Sequence, residues 1–333
     1  MAENRRVMIA SVPAGPLSTS HFAMESAPVP ECGDGEVLCR TLALTIGAGQ
    51  RAGLQGSASY AGAPRSGVVM GGTGVARVEA SNSGAFREGD IVVAPTGWQE
   101  YSVQRASAVR TVDPAVDPAL HLGILGTNGL TAYFGLLDLG NPQPGQTVVV
   151  SAAAGSVGHV VGQIAKLKRA RVVGVAGSDE KCRLLVEELG FDAAVNYKNS
   201  EFRADFKAAT PDRIDVYFDN TGGDILESAL FRMNAHGRIV CCGVVSQYDT
   251  ANPSAGPRGV PGLLVNNRVR MEGFLVFDYA DRYEAARAEM TGWIQRGELK
   301  PRVTEFQGLE KAPEAFVGLL GGQNVGTTIV RVG

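Results

Sequence analysis

The sequence is short of the residue types that bind metals or cross-link a chain. It has five cysteines among 333 residues: Cys32, Cys39, Cys182, Cys241 and Cys242. Their number is odd and none forms a C-x-x-C pair, which excludes a disulfide framework and reads as reduced thiols in a cytoplasmic protein. The four histidines, His21, His121, His159 and His236, are scattered. With no H-x-x-x-H and no Cys/His cluster, neither a structural nor a catalytic zinc is expected, and no metal at all. Basic charge is not in excess either. Lys and Arg total 31 against 34 Asp and Glu, for a net charge of −3, which argues against nucleic acid or an anionic membrane as partner. No long apolar run survives inspection. Ala119–Leu137 and Gln146–Ala165 are charge-free but broken by Gly, Asn, Thr or His, so neither reads as a membrane span. Arg5 and Arg6 precede only Val7–Val12, which Pro13 ends, and this is too little for a secretory leader.

What the chain does have is glycine. Its 43 glycines are about twice the usual share, without a periodic repeat, and point to many tight turns and close backbone approaches. The 44% hydrophobic and 20% charged content is that of a globular protein with a sizeable core, and the length suggests about two domains.

Residues 1–123 read as β-rich. Apolar or alternating runs at Val7–Val12, Glu36–Ile46, Val68–Val78, Asp90–Ala94 and Tyr101–Val103 are separated by Gly, Pro and Asn clusters, and predict a small, partly open β-barrel. Gly47–Gly62, rich in Gly, Ala and Ser, reads as a loosely patterned loop. From Gly126 the pattern changes. Leu130–Leu139 reads as a helix, stopped by Asn141-Pro142-Gln143-Pro144-Gly145. Strands over Thr147–Ala152, Arg171–Ala176, Ala193–Tyr197, Ile214–Asp219, Arg238–Cys242 and Arg270–Val276 then enclose helices over Ser156–Lys168, Asp179–Leu189, Phe202–Ala209 and Ile225–Met233. That alternation predicts an α/β fold with a doubly wound parallel sheet, whose ligand sits beyond the carboxyl ends of the strands. Gln247–Gly262, with three prolines, reads as a long loop. Helices are expected at Tyr283–Ile294 and Leu309–Leu319. The last strand, Thr327–Val332, has no place in the parallel sheet and is expected to return to the first domain. The expected domains are therefore 1–123, 124–299 and a returning tail, 300–333.

One turn organises the second domain. In Gln146–Gly162, QTVVVSAAAGSVGHVVG, an apolar run passes through small residues to Gly155 and Gly158, where a helix should start. Phosphate favours a helix N-terminus, because the first N–H groups lack intrahelical partners and the dipole is positive there. Glycine lets the pyrophosphate approach the backbone. Ala153 stands where the usual G-x-G-x-x-G has its first glycine, and Ser156 and Val157 lie between the remaining two. The end of the second strand separates NAD from NADP. A carboxylate for the ribose 2′-hydroxyl is usual there in NAD sites, but Val172–Ala176 is followed by Gly177 and Ser178. Lys181 follows within reach of a 2′-phosphate, which favours NADP.

The motifs GLTAYFGL (Gly129–Leu136), AAAGSVGHVVGQIAKLK (Ala152–Lys168), VVGVAGSDEK (Val172–Lys181), FDAAVNYK (Phe191–Lys198), YFDNTGG (Tyr217–Gly223), CGVVSQYD (Cys242–Asp249) and NVGTTIVRV (Asn324–Val332) resemble the zinc-independent medium-chain reductases. Within them, the resemblance is to the leukotriene B4 12-hydroxydehydrogenase/prostaglandin reductase family, with plant alkenal double-bond reductases and bacterial curcumin reductase. It implies a GroES-like domain followed by a Rossmann domain, NADPH as cofactor, a homodimer, and reduction of the carbon–carbon double bond of an α,β-unsaturated aldehyde or ketone. By this resemblance Lys181 and Tyr197 bind the 2′-phosphate, and Asn220 and Asn324 contact the cofactor. Cys242 and Gly243 lie beside the nicotinamide, and Tyr248 orients or protonates the substrate. The chain departs from the family's T-V-D-P-Y-M-R, reading TIGAGQR over Thr45–Arg51, with Gly47, Ala48 and Gly49 at the Asp, Pro and Tyr positions. That predicts a wider acceptor pocket around Gly49 and Arg51, or one refilled by Tyr60 or a partner subunit. Thr127-Asn128 stands where Met-Pro is common. A quinone or carbonyl reductase is the alternative within the enzyme class. A non-catalytic NADPH-binding structural or regulatory protein is the alternative outside it.

Overall fold

The computed structural model describes residues 3–58, 62–251 and 256–332. They form two units. One comprises residues 1–126, 248–251 and 303–333, and the other 127–247 and 252–302.

The first unit opens with β1 (Glu3–Ile9), which pairs antiparallel with β2 (Phe22–Pro28). Then come β3 (Glu36–Ile46), α1 (Ala48–Leu54), β4 (Gly74–Ser81), β5 (Ile91–Ala94), β6 (Tyr101–Arg105), β7 (Arg110–Thr111) and a short α2 (Pro118–Leu122). The stretch read as a loose loop thus begins with a helix. Two tertiary contacts hold it despite its Gly-rich composition. The Gln50 side chain accepts from the Gly47 N–H at 2.8 Å and donates to the Gly71 carbonyl at 2.7 Å, while Ala52 and Leu54 are buried. The run expected from Val68 becomes a strand only at Gly74, and β2 was not expected, since only its first residue is buried.

The second unit begins with α3 (Thr127–Phe134), which passes into a wider turn of helix over Gly135–Gly140. It continues β8 (Thr147–Val150), α4 (Gly158–Leu167), β9 (Arg171–Ala176), α5 (Asp179–Glu187), β10 (Ala193–Asn196), α6 (Phe202–Ala209), β11 (Ile214–Asp219), α7 (Gly223–Leu230), β12 (Met233–Cys241), α8 (Val260–Asn267), β13 (Arg270–Gly273) and α9 (Tyr283–Gln295). The sheet order is β10-β9-β8-β11-β12-β13 and every pairing is parallel. This is the doubly wound Rossmann order, with its switch point between β8 and β11. The central strands read as continuous apolar runs because helices cover both faces. Val148, Val149 and Val150 are fully buried, and each such side chain contributes about 1.5–3 kcal/mol. The loop expected over Gln247–Gly262 ends earlier than that, at the start of α8; residues 252–255 lie outside the described residues.

The chain closes with β14 (Val303–Gln307), α10 (Ala312–Leu320) and β15 (Thr327–Arg331). β15 pairs antiparallel with β3 and parallel with β14. The first unit's larger sheet runs β14-β15-β3-β4-β5-β7, with β6 also on β3. Phe316 of α10 sits in that unit's core, 5.8 Å from the ring of Trp98, which stacks on Phe22 at 5.5 Å.

Candidate active site

In the second unit the expected cofactor residues gather at the carboxyl ends of the parallel strands. The turn after β8 is shaped by close approach. Ala152 takes a left-handed φ of +47°, and its carbonyl accepts from the Gly155 N–H at 2.9 Å. A Cβ at Gly158 would lie 2.4 Å from the Ala152 oxygen and 2.8 Å from the Ala153 Cα. Only glycine fits, because the obstacle is backbone. No side chain caps α4, so its N-terminus keeps the character that attracts an anion. Ser156 and Val157 complete the turn. His159, on the first turn of α4, is buried, with Nδ1 2.8 Å from the Gly155 carbonyl. Burial drives its pKa down to about 4, so the ring is neutral and Nδ1–H is the donor.

At the end of β9 two lysines come close to each other. A Cβ at Gly177 would meet the Tyr197 ring at 3.2 Å and the Lys198 Cε at 3.5 Å, so both residues lie against this glycine. Ser178 caps α5, accepting from the Lys181 N–H at 3.2 Å. Burial, and then the nearby Lys198, hold the Lys181 ammonium below the ordinary lysine value, with Glu180 opposing. Asp179 is engaged elsewhere, accepting from Asn196 Nδ2 at 2.8 Å. Two lysines that repel each other, beside a backbone stripped of side chain, suit a phosphate and not a ribose hydroxyl. The residues therefore fit an NADP-type dinucleotide. Lys198 was not among the expected residues, although it directly follows Tyr197 in the sequence.

At the switch point, β11 and β12 end in a knot of polar bonds. Asp219 Oδ1 accepts from Ser151 Oγ at 3.2 Å, Tyr217 Oη at 3.0 Å and the Thr221 and Gly222 N–H groups at 3.0 and 2.9 Å. Burial raises the Asp219 pKa and these donors oppose that rise. Asn220 Nδ2 donates to the Ser151 carbonyl at 2.7 Å, which fixes the amide's orientation. The Cys242 and Gly243 N–H groups both donate to the Asp219 carbonyl, at 2.9 and 3.1 Å. Burial pushes the Cys242 thiol up to about 12, so this cysteine is a packing group and not a nucleophile. Asp219 and Ser151, which hold the others in place, carry no sequence signal beyond their strand-end positions.

The remaining expected residues belong to the first unit. Asn324 lies before β15, and its Nδ2 donates to the Gly326 carbonyl at 2.9 Å. Gly49 is exposed on α1. Arg51, on the same helix, is 1% exposed and ion-paired through Nε to Asp249 Oδ1 at 3.0 Å. Tyr248 and Asp249 cluster with this unit. Tyr60 lies outside the described residues. Among the described residues, no three His, Cys, Asp or Glu come together as a metal site would require, and no helix is long and apolar enough to cross a membrane.

Comparison with known proteins agrees with this geometry. A family described as "N-terminal domain of oxidoreductase" matches residues 5–112, and one described as "Zinc-binding dehydrogenase" matches residues 156–291. The NADPH-dependent curcumin reductase of Escherichia coli (strain K12) is 40% identical, over 99% of this chain and 97% of its own. The chain belongs to the zinc-independent medium-chain dehydrogenase/reductase family. The family's 2-alkenal reductase (NADP(+)-dependent) of Nicotiana tabacum is 41% identical, over 91% of this chain and 89% of its own. The crystal structure of CurA from Vibrio vulnificus in complex with NADPH superposes with a TM-score of 0.94 at 38% identity, covering 99% of each chain. The family's Rossmann and GroES-like domains are the two units described above.

Proposed function

We propose that the protein is an NADPH-dependent ene-reductase that reduces the carbon–carbon double bond of an α,β-unsaturated aldehyde or ketone. The observation that carries the reading is Lys181 beside Lys198, which lies against Gly177 where β9 ends with no acid in the next two positions, in a family whose curcumin and alkenal reductases match at least 91% of this chain. NADPH, when bound, supplies the hydride. The chain's own residues bind, orient and donate. The backbone at Ala153, Gly155, Ser156, Val157 and Gly158 holds the pyrophosphate. Ser178, Lys181, Tyr197 and Lys198 hold the 2′-phosphate, and Asn220, Cys242, Gly243 and Asn324 complete the cofactor's surroundings.

A conjugated carbonyl is its own electron sink, so hydride arrives at the β-carbon and charge develops on the carbonyl oxygen. A hydroxyl donor at that oxygen stabilises the charge. Tyr248 is that donor in this reading, and the α-carbon takes its proton from Tyr248 or water. We further place the enzyme in the cytoplasm as a homodimer that pairs through β13. That strand ends the parallel sheet, and Leu275 and Phe277 are exposed just beyond it. A terminal strand offers its backbone to a second copy.

The test is NADPH consumption against a panel of enals, enones, quinones and simple carbonyls, with products identified. A saturated carbonyl product supports the reading. Alcohol or hydroquinone would move the assignment to a carbonyl or quinone reductase, and tight NADPH binding without turnover to a non-catalytic protein.

A further inference from the structure

We propose that Arg51 and Asp249 form an ion-paired latch that positions Tyr248, making Arg51 a positioning residue and not a wall of the acceptor pocket. The inference rests on the reading of Tyr248 as the group that orients the substrate oxygen.

Four observations meet at this latch. First, Tyr248–Ala251 clusters with the first unit, although the residues on either side belong to the second. Something must hold these four residues there. Second, Arg51 is among the largest fully buried side chains, and it spends two nitrogens on this segment and its neighbour. Nε donates to Asp249 Oδ1 at 3.0 Å, and Nη2 donates to the Gly15 carbonyl at 2.7 Å. Third, the Leu17 N–H donates to the same Asp249 oxygen, and Leu17 is itself buried in the first unit's core. One carboxylate oxygen therefore takes two donors from two separate segments. Fourth, Asp249 sits at a left-handed φ of +56°. Aspartate adopts this region more readily than most residues, and the Arg51 and Leu17 donors hold its carboxylate within that turn. The left-handed turn sets the path of the chain immediately after Tyr248, and the latch fixes the turn.

The charge arithmetic favours a device over a chance contact. A buried arginine that loses its carboxylate is an uncompensated charge. The pair spans 198 positions, so it ties a loop to a distant helix. A misplacement of about 1 Å from a change away from the reacting atoms can cost about a hundredfold in rate. Tyr248 itself gains that precision from its neighbour in the chain.

The test uses the full-length protein with NADPH and an enone it reduces. Asp249→Asn keeps a residue at home in the left-handed region and keeps an acceptor for the Leu17 N–H, but drops the ion pair. Arg51→Lys keeps the charge and loses the fork. Each is made in the wild-type and the Tyr248→Phe backgrounds, with NADPH affinity measured by fluorescence titration as the folding control. Asp249→Asn is expected to lower kcat by about tenfold to a hundredfold, with NADPH affinity unchanged. In the Tyr248→Phe background the same change should cost less than about threefold, because the group being positioned is gone. Should Arg51→Lys fail to fold, Asp249→Asn carries the test alone. Equal losses in both backgrounds, or a raised enone KM at unchanged kcat, would overturn the latch. Full activity in Asp249→Asn would do so as well. Full activity in Tyr248→Phe alone would instead sink the reading of Tyr248, and the latch with it.

Discussion

At the scale of single residues, His159 shows how burial turns into a pH dependence. The ring is buried in a position where only the neutral form is tolerated, with Nδ1 bonded to Gly155 and Nε2 buried without a partner. Its pKa falls from the ordinary 6.5 to about 4. Between those values the unfolded chain binds a proton that the folded chain refuses. This residue therefore costs nothing above about pH 7, and its penalty grows as pH falls through the window, reaching about 3 kcal/mol near pH 4. Urea midpoints at pH 7 and pH 4.5 should differ more in the wild type than in His159→Gln. Equal pH slopes would contradict the assignment. Gly158 and Lys181 belong to the same scale. Gly158→Ala pushes a Cβ to 2.4 Å from a backbone oxygen, and should lower NADPH affinity by at least about tenfold. Lys181→Ala and Lys198→Ala should each weaken NADPH by about tenfold or more while leaving NADH nearly untouched. Titrations with the two dinucleotides would expose the error if both fell together.

At the scale of elements, α4 is seated on the sheet by a missing side chain. A Cβ at Gly162 would lie 1.9 Å from the Phe191 ring. Gly162→Ala is expected to cost about 1–3 kcal/mol by overpacking, and Gly162→Ala/Phe191→Leu should recover much of it in a thermal melt. No recovery would mean that the strain lies elsewhere. The spacing of this glycine was legible in the sequence, since Gly158 and Gly162 stand four apart on one face of the helix. So were β8, β9 and β11, whose buried runs write both faces of the strand into the sequence. Among the elements that escaped was α1. Its residues, Ala48-Gly49-Gln50-Arg51-Ala52-Gly53-Leu54, include good helix formers, but two glycines and a length of only about two turns leave it marginal on its own, and what holds it lies far off in the chain, at Gly71 for Gln50 and at Asp249 for Arg51. β2 escaped for a simpler reason: a strand with a single buried residue has no alternation to read.

At the scale of the whole molecule, the second unit could be read nearly entire, since a Rossmann sheet is assembled from neighbours in sequence. The positions proposed for the cofactor in this unit could be read with it, because most of them stand at or just beyond strand ends. The Arg51–Asp249 pair of the first unit was not. Arg51 meets Asp249 only through the fold, and no local pattern announces a pairing across such a distance. The homodimer reading is tested at the same scale. Sedimentation of wild type and Phe277→Glu should show a dimer lost to the charge, and a wild-type monomer would remove the edge pairing through β13.

The position of β15 between β3 and β14 also governs the order of assembly on the ribosome. Domains commonly fold as they emerge, N-terminal first. Here residues 3–126 cannot complete their sheet until residues 303–331 are made, because a strand from Thr327–Arg331 fills its interior and Phe316 fills its core. The second unit, made in the middle of synthesis, has all its strands before Val303 is translated. A chain truncated after residue 302 should therefore show a protease-resistant second unit beside an unfinished first one, because residues 3–126 still lack the partner strands of 303–331.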